Sequence, residues 1–143
     1  MRYQHTQRGT TILACLLTGA LVCGLVATRE GAPRLVLVGL MTILVVCAYL
    51  FASLTVVVTE GTLCWYFGPG AFRKVVPLTE VQGAEVTATR FWQGWGIHWT
   101  PRGWLYNVSG FTAVAVTLRD GKEILLGTDD AERLRAAILR AVA

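Results

Sequence analysis

The sequence is poor in charged residues, and its histidines and cysteines are few. Charged side chains make up only 15% of the 143 residues, and a mean hydropathy of +0.53 is too high for an ordinary soluble domain of this length. His5 and His98 have no cysteine or carboxylate at ligand spacing, so the sequence predicts neither a metal site nor a catalytic triad. Of the four cysteines only Cys64 lies outside the apolar runs, which excludes a disulfide framework. We therefore predict a protein that is not an enzyme and binds no cofactor.

Basic clusters are also scarce in the C-terminal three-fifths of the chain. From Thr55 onward, nine basic residues face eight acidic ones, and only Arg73 and Lys74 are adjacent. Nucleic acid and phosphoinositide headgroups both require clustered Lys and Arg. The pI of 9.1 reflects the arginines that flank the apolar runs as much as this region. The sequence therefore excludes a nucleic-acid partner and gives little support to a specific phosphoinositide site.

Two long apolar runs stand near the N-terminus. Residues 11–27 and 35–58 contain no Asp, Glu, Lys, Arg or His, and about 20 apolar residues in a helix span the hydrocarbon core of a bilayer. The six residues 29–34 between them are polar and include a glycine and a proline, which suits a tight turn. We predict an N-terminal tail (1–10), a two-span transmembrane hairpin (11–54) and a separate domain (55–143).

Other readings of the first run are open. A basic start followed by an apolar stretch is also typical of a signal peptide, although this stretch is long and Thr28-Arg29-Glu30 is a poor cleavage site. Cys15 and Cys23 could suggest a lipoprotein, although neither has the right context. The arginines on the two sides of the hairpin are equal in number, and Arg73-Lys74 favours placing both termini in the cytoplasm. We expect a multi-pass protein of the plasma membrane.

The hydrophobic period changes to that of β-strands after residue 54. Short β-branched and aromatic runs alternate with Gly, Pro and Asp-Gly punctuation, and they predict about seven antiparallel strands. The expected strands cover residues 55–59, 62–67, 71–76, 81–90, 104–108, 111–118 and 122–126. A long loop is expected between the fourth and fifth. Thr128 or Asp129 can then cap an amphipathic helix of about 13 residues, whose apolar face carries Ala131, Leu134, Ile138 and Ala141.

Three segments resemble a known family. They are residues 90–99 (RFWQGWGIHW), 101–110 (PRGWLYNVSG) and 124–130 (ILLGTDD). The sequence is similar in these segments, and in its two-span layout, to bacterial membrane-anchored proteins with a pleckstrin-homology-like domain. The resemblance implies a barrel of antiparallel strands capped by a C-terminal α-helix. In that family an arginine often follows Gly-Trp-Gly-Ile, whereas His98 stands there in this chain.

The tryptophan-rich segment of residues 90–104 is the candidate interaction or membrane-surface loop. Its candidate residues are Arg90, Trp92, Trp95, His98, Trp99, Arg102 and Trp104. Three explanations of this aromatic density are open. The rings could fill the core of a small barrel, lie at the headgroup level of the bilayer, or line a groove for a ligand or partner.

Two functions from different classes fit these observations. The first is a membrane-tethered module that contacts a protein partner, or its own copies, through a strand edge or the tryptophan-rich loop. The second is a sensor of lipid or envelope state, whose loop touches the bilayer. In both, membrane lipids surround the hairpin, and the protein partner is unknown.

Overall fold

The computed structural model describes residues 3–143, which form three α-helices and two β-sheets with nine strands in all. The elements in chain order are β1 (Tyr3–Arg8), α1 (Thr10–Ala27), α2 (Arg34–Leu50), β2 (Ser53–Val58), β3 (Thr62–Phe67), β4 (Ala71–Pro77), β5 (Val81–Ala88), β6 (Gly96–Thr100), β7 (Gly103–Asn107), β8 (Thr112–Leu118), β9 (Glu123–Gly127) and α3 (Ala131–Val142). Short 3₁₀ turns cover Leu78–Glu80 and Phe91–Gln93.

The first sheet has the strand order β1-β2-β3-β4, and all its pairs are antiparallel. β1 pairs with β2 from Tyr3 opposite Val58 to Arg8 opposite Ser53, so the two helices are inserted between neighbouring strands. Residues 3–8 of the predicted N-terminal tail (1–10) thus form a strand of the first sheet. The polar sequence of β1 does not by itself predict a strand. It forms one by pairing with β2, which follows the two helices in the chain.

The second apolar run divides between a helix and a strand. α2 ends at Leu50, four residues before the predicted end of the hairpin at residue 54. The strand predicted over residues 55–59 is found as β2, which begins at Ser53, and its β-branched residues Thr55 to Val58 favour a strand over a helix. Among residues 3–143, α1 alone is long and apolar enough to be a candidate membrane span, and α2, with 17 residues, is shorter.

α1 and α2 pack against each other through small residues. A side-chain carbon at Gly19 would lie 3.3 Å from Leu44, and one at Gly24 would lie 3.4 Å from Met41. Close approach of helix backbones at glycines is common between helices in membranes. The large apolar side chains on the outside are between 44% and 92% exposed: Leu17, Leu21, Val22, Leu25, Val26, Leu35, Val36, Val38, Leu40, Ile43, Val45, Val46 and Tyr49.

The second sheet has the order β5-β8-β9-β7-β6. Its pairs are antiparallel except β7 with β9, which run parallel. The expected seven antiparallel strands are thus incorrect in number and in one pairing. β6 lies inside the segment predicted as a long loop. The glycines and aromatic residues there obscure the alternation of apolar and polar residues that is typical of a strand. The parallel pair is tight at Gly103, where an added side-chain carbon would overlap the carbonyl oxygen of Glu123.

The main core lies between the sheets and is closed on one side by α3, which packs against β5, β8 and β2. The predicted apolar face of α3 is confirmed, because Ala131, Leu134 and Ile138 are buried and Ala141 packs beside them. Other core residues are Leu54, Val56, Val58, Leu63, Trp65, Phe67, Val81, Tyr106, Val108, Val114, Val116 and Leu126. The side of the core opposite α3, along β4 and the β6–β7 hairpin, is open and contains two hollows.

Candidate functional site

The seven candidate residues fall into two groups at opposite ends of the β6–β7 hairpin. At the first end, Gly96 lies next to Ile12 near the start of α1. Four residues along β6, Thr100 begins the turn to β7, about 13 Å away at 3.3 Å per residue. Arg90, Trp92, Trp95 and His98 belong to the helix end of the hairpin. Trp99, Arg102 and Trp104 belong to the far end.

The helix end of the domain carries a group of aromatic side chains. We call Phe91, Trp92, Trp95 and Phe111 the helix-end cluster. Trp95 is half-buried, with its ring centroid 6.4 Å from that of Phe91 and 5.9 Å from that of Phe111. Phe91 and Trp92 are 74% and 73% exposed. The guanidinium of Arg90 lies 5.1 Å from the centre of the Trp92 ring, within the range of a cation–π contact.

The helix-end cluster is tied to the start of α1. The indole N–H of Trp95 donates to the carbonyl of Gly110 at 3.2 Å. The neighbouring Ser109 exchanges hydroxyl hydrogen bonds with Thr10 and Thr11, at 3.0 and 2.9 Å. These contacts position the exposed rings beside the point where the chain enters the apolar hairpin.

The β3–β4 turn also contacts the helix end of the domain. Phe72 stacks on Phe51 with ring centroids 5.4 Å apart, directly after α2. The turn approaches α2 so closely that a side-chain carbon at Gly68 would lie 2.6 Å from the carbonyl oxygen of Leu50. Phe72 is half exposed, and it extends the aromatic surface around the base of the helical hairpin formed by α1 and α2.

His98 supports the local turn. Its Nε2 donates to the carbonyl of Trp95, and the imidazole lies 3.4 Å from the position of a side-chain carbon at Gly94. Gly94 has a φ of 68°, which favours glycine. His98 therefore contacts both ends of the bend between the 3₁₀ turn and β6.

Arg102 is the centre of an ion-pair network on the second sheet. Its guanidinium donates to Glu123 at 2.9 and 3.0 Å, to Glu85 at 2.5 Å and to Thr87 at 3.1 Å. These residues belong to β9 and β5, so the network joins the β6–β7 turn to two other strands. The hydrogen bonds from Arg102 hold the pKa of Glu123 below its ordinary value. The charge of Arg102 is thus matched inside the domain.

Trp99 and Trp104 lie opposite each other in the β6–β7 hairpin and make an edge-to-face contact with ring centroids 5.2 Å apart. Trp99 is 69% exposed, and Trp104 is about half exposed. Both line the open side of the sandwich. Exposed aromatic pairs of this kind are enriched at binding surfaces.

The open side forms a cleft between β4 and the β6–β7 hairpin, which we call the β4–β7 cleft. It encloses about 630 Å³, within the usual range for binding sites. It is lined by Trp65, Lys74, Val75, Val76, Trp99, Pro101, Arg102, Gly103, Trp104, Tyr106, Leu118, Lys122, Glu123 and Ile124. A second hollow of about 420 Å³ shares Lys74, Trp104 and Tyr106 with it and adds Phe72, Arg73 and Ile97. The two hollows meet along β4.

Two polar features distinguish the cleft from an ordinary apolar gap. Lys74 pairs with Trp65 across β3 and β4, which places its side chain on the cleft side of the edge strand. Trp65 is 1% exposed, and its indole N–H has no hydrogen-bond partner in the described residues. Buried indole groups usually find an acceptor. The cleft thus combines aromatic walls with a lysine, above a buried indole whose N–H has no partner in the described residues.

Several residues of the cleft are not among the candidates predicted from the sequence. Trp65 and Lys74 lie on consecutive strands and come together through the register of β3 and β4, whereas Tyr106 reaches the cleft from a strand that is distant in sequence. Phe91 lies between two candidate residues, so aromatic density alone could have added it, whereas Phe111 lies outside the tryptophan-rich segment. Among residues 3–143, no three His, Cys, Asp or Glu side chains are grouped to hold a metal ion.

Comparison of the chain with models of known protein families, with curated proteins and with solved structures finds no match. The resemblance to pleckstrin-homology-like membrane proteins remains a prediction.

Proposed function

We propose that the chain is a non-enzymatic membrane protein, in which a helical hairpin anchors a binding domain that presents the β4–β7 cleft to a protein partner. The observation that supports anchoring most directly is the outward exposure of large apolar side chains along both helices. A helix that is apolar on all sides belongs either in a protein core or in a membrane. Here the helices lie outside the core between the sheets.

We propose further that α2 crosses the bilayer beside α1. At 1.5 Å per residue its 17 residues extend about 25 Å, and a bilayer core of about 30 Å thins locally around a short span. Leaving α2 in water would expose Leu35, Val36 and Ile43 to solvent. Burial of both helices in lipid is therefore the lower-energy arrangement.

The domain type and the orientation belong to the same proposal. Two packed sheets with a C-terminal helix over one open side are compatible with a pleckstrin-homology-like domain, although the parallel β7–β9 pair departs from an all-antiparallel barrel. Arg73 and Lys74 favour a cytoplasmic domain under the positive-inside rule. The loop Thr28–Pro33 would then face outward, in a plasma membrane.

A thiol-labelling experiment tests this topology. In a cysteine-free variant carrying Ala32→Cys, a membrane-impermeant reagent added to intact cells should label residue 32. The matched variant Gln82→Cys, at an exposed position of β5, should be labelled only after the cells are opened. The opposite pattern would reverse the orientation, and protection of both sites until lysis would contradict the two-span hairpin.

Photo-crosslinking tests the binding function. A photoreactive residue at Trp99, in the cleft, should give a discrete adduct with another protein in native membranes. The same residue at Gln82, at the opposite edge of the second sheet, should not. Equal adducts at both positions, or none at either, would contradict a binding role for the cleft.

A second candidate function is a sensor of the bilayer surface. It is favoured by the helix-end cluster, because Phe91 and Trp92 are exposed beside the base of the hairpin. Aromatic side chains concentrate at the membrane–water interface, and arginines such as Arg90 can bind anionic headgroups there. Its test is the quenching experiment on Trp92 described in the Discussion.

A further inference from the structure

We infer that the β4–β7 cleft binds an extended acidic segment of a partner protein, which adds as a new strand alongside β4. This inference rests on the proposed binding function and specifies the chemistry of the partner. Its basis is the combination of a free strand edge, a basic rim and aromatic walls in one place.

β4 offers the free edge. It is the outermost strand of the first sheet, while the other outermost strand, β1, lies beside the start of α3. The backbone N–H and C=O groups on the outer side of an edge strand can pair with another chain. Extended peptides bind many domains by this strand addition, with main-chain hydrogen bonds providing affinity.

The charge of the rim selects an acidic occupant. Lys74 lies on β4 and Lys122 lies across the cleft, while the guanidinium of the neighbouring Arg73 lies over the ring of Tyr66. Within residues 3–143, no carboxylate pairs with Lys74, and Lys122 has only an exposed contact of 3.5 Å with Asp120. Glu123, the acidic residue in the lining, is already bound to Arg102. The cleft therefore presents unbalanced positive charge to whatever enters it.

The walls suit alternating side chains. In a strand, every second side chain faces the same way, so those of an added strand would lie between β4 and the Trp99–Trp104 pair. Trp65, which is 1% exposed, lies at the base of the same cleft and adds an aromatic surface to its lining. The pattern of acidic and apolar residues expected for the partner follows from this lining.

A second copy of this chain fits the edge less well. Pairing β4 with β4 of another copy would bring Arg73 and Lys74 of both chains together, and like charges on adjacent strands are destabilising. A lysine on an edge strand is a common protection against self-association. The same lysine favours an acidic strand from a different protein.

The test uses the full chain in nanodiscs and a displayed library of random ten-residue peptides. We expect enriched peptides that alternate Asp or Glu with aliphatic or aromatic residues. The double variant Lys74→Glu/Lys122→Glu should weaken their binding by at least about tenfold, and raising the salt concentration should weaken it further. Methylation of alternate peptide backbone nitrogens should abolish binding, since it removes the donors of a new strand.

The control variant is Arg133→Glu/Arg135→Glu, which reverses two charges on α3 away from the cleft and should bind as the wild type does. No enrichment over empty nanodiscs, enrichment of neutral or basic peptides, or equal binding by the Lys74→Glu/Lys122→Glu variant would each overturn the inference. Competition by anionic lipid in the nanodisc, with no peptide bound, would assign the cleft to lipid instead. Crosslinking at Trp99 to a partner without an acidic extended segment would preserve the binding function and overturn only its specificity.

Discussion

The hydroxyl of Tyr3 donates a hydrogen bond to the carboxylate of Asp130 at 3.2 Å, joining the first strand of the domain to the start of its last helix. His5, on the same face of β1, donates to Asp129 at 2.5 Å. Burial and the nearby Asp130 raise the pKa of Tyr3 above its ordinary value, so this phenol stays protonated and donates throughout the physiological pH range. β1 and the start of α3 therefore belong to one folded domain, and the helical hairpin is an insertion between its strands β1 and β2.

Replacing Tyr3 by phenylalanine should test this link. Tyr3→Phe keeps the ring and removes the donor, so we expect a loss of about 1 kcal/mol in the free energy of unfolding. Chemical denaturation of the full chain in detergent would measure it. Tyr66→Phe is the control, because no hydrogen bond of its hydroxyl is present in the described residues. Equal midpoints for both variants would show that the link does not stabilise the fold.

The backbone at the base of the hairpin should not tolerate a side chain at Gly9. Its N–H donates to the carbonyl of Ala52 at 2.8 Å, and an added carbon would lie 2.6 Å from the carbonyl oxygen of Phe51. Gly9→Ala should therefore lower the unfolding midpoint, because the backbone must shift to relieve the overlap. Gly39→Ala, where the space is open, is the matched control and should not lower the midpoint. A stable Gly9→Ala variant would contradict this packing.

The Arg102 network should make stability depend on acid pH. The pKa of Glu123 is lower in the folded chain than its ordinary value of 4.5, because Arg102 stabilises the carboxylate. The folded state therefore binds fewer protons than the unfolded one, and this stabilisation is present above about pH 4.5 and is lost as the pH falls through the folded pKa. Because Arg102 is partly exposed, the contribution should be small.

We expect Glu123→Gln to be less stable than the wild type at pH 7, with the difference shrinking as the pH falls below 4.5. Denaturation series at several pH values would measure this. Glu60→Gln, at an exposed turn, should show no such trend. A constant difference across the series would mean that the charge of Glu123 does not contribute.

Quenching of tryptophan fluorescence should show whether the helix-end cluster contacts the membrane. Trp92 is exposed, and brominated lipids in nanodiscs should quench its fluorescence. Trp99 is similarly exposed but lies at the far end of the β6–β7 hairpin, so its fluorescence should not be quenched. Trp92→Ser should thus remove much of the quenching, and Trp99→Ser should remove little. If both substitutions had equal effects, the helix-end cluster would not lie at the bilayer surface.

Trp95 should behave differently from Trp92. It is half-buried and its indole N–H is bonded to Gly110, so Trp95→Ser should lower the thermal midpoint clearly, whereas Trp92→Ser should leave it nearly unchanged. The core explanation of the tryptophan-rich segment therefore applies to Trp95, while Trp92 is exposed and open to the interface explanation. A stable Trp95→Ser variant would contradict the packing part.

Local patterns in the sequence were sufficient to predict the elements whose hydrophobic period depends only on their own residues. β3 was predicted at residues 62–67 and is found there, and the buried face of α3 was correct. The start of the first helix was predicted within one residue, since apolar character and flanking charge are local properties. The density of aromatic residues, also a local property, indicated the tryptophan-rich segment as the candidate site.

Only the tertiary structure decided what depends on pairing between distant residues. β1 is a strand because β2 supplies its hydrogen bonds, and β6 forms against β7 inside the segment predicted as a loop. The candidate residues separate for the same reason, since Trp95 directly precedes β6 at one end of the hairpin and Trp99 lies near the other end of that strand. The cleft exists because register places Lys74 beside Trp65 and opposite the Trp99–Trp104 pair. Register is a property of two strands together, so neither strand's sequence reveals it alone.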